Sequence, residues 1–118
     1  MKVAIITGAS SGIGEAVAVE LHNRGWAIGL IARREDRLER IAEDLGARVC
    51  YAVADVADEP ALIRAVQHIE SELGSCDLML ANAGVCDGRS ARGFSSEATK
   101  TILDVNVNGV IHAFAAVL

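Results

Sequence analysis

The stretch Thr7-Gly8-Ala9-Ser10-Ser11-Gly12-Ile13-Gly14 constrains the fold of this chain more than any other. An apolar segment, Val3-Ala4-Ile5-Ile6, runs directly into it, and Ile13, Val17 and Leu21 follow at the spacing of one helix face. Strand, glycine turn and helix, in that order, present backbone N–H groups and a helix N-terminus to a phosphate. Gly8 allows a backbone conformation that a Cβ would penalise. Gly12 lets the main chain approach a pyrophosphate, and Gly14 lets the helix pack close to the strand. The loop is therefore expected to hold a dinucleotide, with Gly8, Ser10, Ser11, Gly12, Ile13 and Gly14 as its contacts. Its spacing is Gly-x-x-x-Gly-x-Gly, and Glu15 stands where a P-loop carries Lys and then Ser or Thr. That argues against nucleotide hydrolysis.

Three more strand–helix units follow. Gly25 ends the first helix, and Trp26 to Ile31 is a near-continuous apolar strand. A charged helix from Glu35 to Leu45 places Leu38, Ile41, Ala42 and Leu45 on one face, with Gly46 as its stop. Val49 to Val53 makes a third strand. Asp58 is the expected N-cap, with Pro60 in the first turn, of a helix carrying Leu62, Ile63, Val66, Ile69 and Leu73. Asp77 to Ala81 makes the fourth strand, and a last helix is expected from near Glu97 to the final residue.

Strands apolar on both faces that alternate with helices imply an α/β fold, a parallel sheet covered on both sides. Right-handed crossovers then favour the strand order 3-2-1-4, a Rossmann-like, doubly wound sheet within a single domain spanning residues 1–118. In that order the chain reverses direction between strands 1 and 4. The crevice beyond their C-terminal ends is where such sheets bind ligands. The loops Gly8–Gly14 and Asn82–Gly84 both open there.

A length of 118 residues suits one domain, and 52% apolar residues with a single Pro suit a folded one. The net charge of −5 and the scatter of basic residues argue against nucleic-acid or acidic-membrane partners. No apolar run reaches membrane-spanning length, and the first strand begins too early for a signal peptide, so a cytoplasmic location is expected. Cys50, Cys76 and Cys86 lack Cys-x-x-Cys spacing and read as small hydrophobes, with Cys86 in a loop. His22, His68 and His112 fall in separate helices without a partner ligand at i+4, so no metal site is expected.

These motifs together resemble the N-terminal half of a short-chain dehydrogenase/reductase, and the likeness runs over essentially the whole chain. Thr7 to Gly14 matches the family's Thr-Gly-x-x-x-Gly-x-Gly cofactor loop. Asp55-Val56 matches the Asp after strand 3 that holds the adenine. Asn82-Ala83-Gly84 matches the turn after strand 4 that lies along the cofactor. Asn106, within Val105-Asn106-Val107-Asn108-Gly109, matches the catalytic-site Asn that bends the helix and holds a water in the proton relay. The resemblance thus implies an oxidoreductase that moves hydride between a nicotinamide cofactor and an alcohol or carbonyl substrate.

The choice of cofactor follows from charge. A free 2′-hydroxyl is best met by a carboxylate at the end of strand 2, and a 2′-phosphate by positive charge. That position reads Ala32-Arg33-Arg34, so NADP(H) is expected over NAD(H), with Arg33 and Arg34 as contacts and a Ser10 or Ser11 hydroxyl assisting. The opposing reading has the arginines merely solvating a helix start and Asp36 reaching back to a ribose. Cations at a helix N-terminus are mildly unfavourable, which favours a phosphate-binding purpose.

The family's reaction needs a Ser, a Tyr and a Lys four residues after the Tyr, and the chain lacks that set. Tyr51, the single Tyr, is followed at i+4 by Asp55, and the lysines are Lys2 and Lys100. Ser90, Ser95 and Ser96 precede the last helix, where a loop or N-cap role is ordinary. The apolar ending Val110 to Leu118, without a cap, and the uncovered edge of strand 4 read as a piece of a longer protein, truncated after the fourth strand and its helix. Two functions therefore compete: the cofactor-binding part of an oxidoreductase, or a non-catalytic nucleotide-binding or assembly module. In relatives the last helix commonly joins an oligomer interface, so homo-oligomerisation is expected.

Overall fold

The computed structural model describes residues 1–10, 12–85 and 95–118. Ser11 and the 86–94 segment, with Cys86 and Ser90, lie outside the described residues. The elements in chain order are β1 (Val3–Thr7), α1 (Gly12–Asn23), β2 (Ala27–Ala32), α2 (Glu35–Leu45), β3 (Val49–Val53), α3 (Glu59–Leu73), β4 (Leu78–Ala81), α4 (Ser96–Leu103), a π turn (Asp104–Asn108) and α5 (Gly109–Val117). The strands form one parallel sheet in the order β3-β2-β1-β4, as the alternating pattern requires. In its register Ile5 of β1 lies between Gly29 of β2 and Met79 of β4.

Alternation along the strands splits the core into two layers. Val3, Ile5, Ala27 and Ile31 face Leu62, Val66 and Ile69 of α3 and Ala113 of α5. Ala4, Ile6, Ile28 and Leu30 face Ala18 of α1 and Leu38 and Ile41 of α2. Each fully buried aliphatic side chain contributes about 1.5–3 kcal/mol relative to exposure, and both layers are built from such residues. β1 and β2 are buried at every position, which is what makes them apolar on both faces apart from Thr7 at the end of β1.

Gly29 has a packing reason. A Cβ there would stand 2.5 Å from Ile69 Cγ2 and 3.2 Å from Ile5 Cγ1, so α3 rests directly on the β2 backbone. Gly29→Val is expected to destabilise the fold by about 1–3 kcal/mol through overpacking. Urea unfolding should show a lower midpoint with an unchanged slope.

Helix boundaries follow local chemistry. Asp58 caps α3, its Oδ1 accepting from the Ala61 N–H at 3.2 Å, with Pro60 in the first turn. Gly46 and Gly74 close α2 and α3 at φ 82° and 108°. Ser95 caps α4 by accepting from the Ala98 N–H at 3.2 Å, which gives this serine a structural role. One expectation needs correction. Ile13 is 74% exposed and not part of the packed face of α1, because Gly14 is the first-turn residue turned inward, against Gly8 and Asn82; Val17, Ala18 and Leu21 carry the packing. The last helix runs unbroken from Ser96 to Val117 as expected, with one widened π turn at Asp104–Asn108 between α4 and α5.

Candidate functional site

A cleft of about 410 Å³ opens over the C-terminal ends of the strands, where the reversal between β1 and β4 places it. Gly8, Ser10, Arg33, Arg34, Asp55, Val56, Asn82, Ala83 and Gly84, all expected from the sequence, line it together. Gly12, Ile13, Gly14 and Asn106 are not in its lining. Arg37, Val85 and Val105 line it and were not anticipated.

The glycines set the geometry of the loop. Gly8 has φ +65°, and a Cβ there would lie 2.7 Å from the Ala83 Cα, so the β1 and β4 loops touch at this point. Gly12 has φ +62° and would place a Cβ in open space, a backbone strain that only glycine relieves. Gly14 crowds its surroundings differently from the expectation. Its Cβ would meet Gly8 O at 2.5 Å and Asn82 Nδ2 at 2.7 Å, so the close approach is to the loop and the β4 turn, not to the strand.

Thr7 fastens the two loops. It is 1% exposed, and its hydroxyl accepts from the backbone N–H groups of Asn82 at 3.1 Å and Ala83 at 3.2 Å. Asn82 Nδ2 in turn donates to Gly8 O at 3.3 Å. The residue was legible as the first letter of the glycine motif, but its role required knowing that β4 lies beside β1. Asn82 is thus held from both directions.

On the opposite wall β2 ends at Ala32, and Arg33 and Arg34 follow without a carboxylate between them and the cleft. Asp36 does not line the cleft; its Oδ2 lies 3.5 Å from Arg34 Nη2 at the protein surface. Desolvation is the largest single influence and opposes ionisation, but the hydrogen bond and charge of Arg34, together with the backbone N–H groups of Arg37 and Asp36, hold the Asp36 carboxyl below its usual value. Arg37 stands one helical turn after Arg34 and also borders a neighbouring cleft with Ser10. The i, i+3 spacing carried that signal once Glu35 was taken as the helix start.

The β3–α3 loop is a tight turn built by Asp55. Its Oδ1 accepts from the Ala57 N–H at 3.0 Å, and its carbonyl accepts from the Asp58 N–H at 2.9 Å. Asn106 sits inside the π turn. Its Oδ1 accepts from the Val85 N–H at 2.8 Å and its Nδ2 donates to the Val85 carbonyl at 2.9 Å. The side chain therefore fixes the chain just beyond Asn82-Ala83-Gly84.

Other titratable groups stand apart from the cleft. Tyr51 lies in a separate groove with Cys50 and His68. Desolvation and the carboxylates of Glu39 and Glu35 push its phenol up, the opposite of what an acid–base tyrosine needs. Burial likewise raises the Cys50 and Cys76 thiols, which are half-buried. Among the described residues no cluster of three or more His, Cys, Asp or Glu could hold a metal ion, and no helix is long and apolar enough to cross a membrane.

The sequence profile of the short chain dehydrogenase family matches residues 2–118. An uncharacterized oxidoreductase of Staphylococcus epidermidis is 35% identical over 117 residues, covering 99% of this chain and 51% of the relative. Among solved structures, an alcohol dehydrogenase from Thermococcus sibiricus complexed with 5-hydroxy-NADP superposes with a TM-score of 0.92 at 37% identity. That match covers 99% of this chain and 52% of the other. A 3-ketoacyl-(acyl-carrier-protein) reductase from Brucella melitensis complexed with NADH gives a TM-score of 0.92 at 32% identity, covering 97% and 47%. The chain thus spans about half the length of the relatives it matches. A profile match over nearly every residue, in the same fold and with the glycine loop at the same sheet reversal, means that the chain belongs to the short-chain dehydrogenase family.

Proposed function

We propose that this chain is the NADP(H)-binding part of an oxidoreductase that passes hydride between the nicotinamide and an alcohol or carbonyl substrate. The observation that carries the cofactor choice is the cluster Arg33, Arg34 and Arg37 lining the cleft, with Ala32 where a ribose-binding carboxylate would stand. Similar proteins have been solved with NADH and with an NADP derivative, so family membership leaves the choice to these side chains. In this reading Gly8, Ser10, Ser11, Gly12, Ile13 and Gly14 meet the pyrophosphate side. Gly12 suits that role because its position is open where a Cβ would otherwise stand. Asp55 and Val56 meet the adenine, Asn82, Ala83 and Gly84 run along the cofactor, and Asn106 serves the proton relay. A cytoplasmic setting is part of this reading.

Calorimetric titration with NADPH and NADH tests the proposal. Charge-assisted contacts to a phosphate contribute roughly 1.5–3 kcal/mol each, so NADPH should bind more than about tenfold tighter. Equal affinities would overturn it. Arg37→Gln should weaken NADPH several-fold and leave NADH unchanged, which separates a phosphate contact from general loss of the site.

A second reading, a nucleotide-binding or assembly module without turnover, draws on the chain having a single Tyr whose i+4 residue is Asp55. General acid–base catalysis contributes about 10²–10⁴ in rate, so these 118 residues alone should give no robust NADPH consumption with ketones or aldehydes. A robust rate would reveal an acid elsewhere in the chain. Homo-oligomerisation belongs to either reading. Leu103, Val107, Ile111, Phe114 and Leu118 form an exposed apolar stripe along α4 and α5, the kind of surface that takes a partner. Light scattering at micromolar concentration should show an assembly, and Ile111→Lys should dissociate it; a clean monomer would contradict the expectation.

A further inference from the structure

We infer that His112 and Gly109 are positioning residues for adenine recognition, holding the Val56 end of the β3–α3 loop so that Asp55 is presented to the base. The inference rests on the cleft being a dinucleotide site. His112 Nδ1 lies 2.7 Å from the Val56 carbonyl oxygen, and the imidazole is only 18% exposed. To donate to that carbonyl, Nδ1 carries the proton. Nε2 lies 3.5 Å from Glu59 Oε2, so the ring spans from the loop to the first turn of α3. Gly109 presses the same residue from below: a Cβ there would meet Val56 Cγ2 at 2.5 Å and Val56 Cβ at 3.0 Å. Val56 itself is 5% exposed and borders the cleft beside Asp55.

One bond, from the Ala54 N–H to the Ala32 carbonyl at 3.1 Å, ties the start of the loop to the sheet, but the bonds beyond Asp55 do not. Those from Ala57 and Asp58 return to Asp55 and shape the turn internally. The Val56 carbonyl, by contrast, is tied to a helix 56 residues later in sequence. That tie and the contact at Gly109 set where the turn sits relative to α5. Asn106, one helical turn earlier, does the same for Val85 on the other wall.

The test reads base selectivity, which general stability would not move. Asp55 should accept from the exocyclic amine of adenine and oppose the carbonyl oxygen of hypoxanthine. NADPH should therefore bind at least about tenfold tighter than its hypoxanthine analogue, the scale of one hydrogen bond to a charged group. Asn and Gln then serve as paired replacements, since an Asn amide nitrogen falls near the Nδ1 position and a Gln amide nitrogen near Nε2. His112→Asn should keep the discrimination, and His112→Gln should reduce it to about threefold or less with an unchanged unfolding midpoint. Gly109→Ala should reduce it as well, by moving Val56 without touching the imidazole. Equal selectivity in the Asn and Gln variants, or unchanged selectivity in Gly109→Ala, would overturn the inference. Equal binding of the two bases by the unaltered protein would overturn the Asp55–adenine contact and the inference with it, whereas failure to bind either would instead overturn the dinucleotide reading itself.

Discussion

Gly14→Val is expected to leave no measurable NADPH binding and to lower stability at the same time. The position has no room: the first atom of any side chain would fall 2.5 Å from Gly8 O and 2.7 Å from Asn82 Nδ2. Relief requires the glycine loop and the β4 turn to separate, which breaks the Asn82 bond to Gly8 and moves two walls of the cleft. Overpacking of this kind costs about 1–3 kcal/mol, and the loss of binding follows from displaced backbone donors more than from the energy itself. Fluorescence titration and thermal unfolding on one preparation check both halves. Normal NADPH binding by the variant would show that this loop is not the phosphate site.

The combined change Ala32→Asp, Arg33→Gln and Arg34→Gln should reverse the cofactor preference. Removing two guanidinium groups takes away charge-assisted contacts to a phosphate, and the new carboxylate both accepts from a free 2′-hydroxyl and repels a phosphate. A swing of more than about a hundredfold in the NADPH-to-NADH affinity ratio is expected, since loss and gain act in the same direction. Arg37 would remain in the cleft of this variant. Residual NADPH affinity should accordingly fall further when Arg37→Gln is added. A ratio that does not move in the triple variant would mean that these arginines only solvate the start of α2.

Local sequence chemistry made most of the architecture legible. The α2 and β3 boundaries follow from glycine stops and charge patterning, and β2 and β4 differ from expectation by a residue at their ends. Strand order was legible because both-face apolar strands admit few topologies. What could not be read were features that depend on a neighbour distant in sequence. The buried Thr7 hydroxyl serves donors at Asn82 and Ala83, more than seventy residues away. Gly29 needed Ile69 to explain it, and Gly109 needed Val56. Ile13 misled because its spacing with Val17 and Leu21 is regular, whereas in that first turn it is Gly14 that faces inward, against Gly8 and Asn82. The π turn is invisible to periodicity, since Val105 within it and Gly109 and Ala113 after it recur at four-residue intervals and all stay buried.

That turn makes the number of residues between α4 and α5 a functional quantity. An α-helix advances about 100° per residue, and a π turn accommodates one residue more than an α turn. A deletion within 104–108 would let the turn tighten to an α turn and leave α5 close to its present phase, whereas a one-residue insertion there would rotate α5 by about that angle relative to α4. Gly109 and His112 would leave Val56, and part of the outward stripe at Ile111 and Phe114 would swing toward the sheet. Conservative substitutions along this segment leave the phase of the helix intact; a one-residue insertion changes the surroundings of every residue after it.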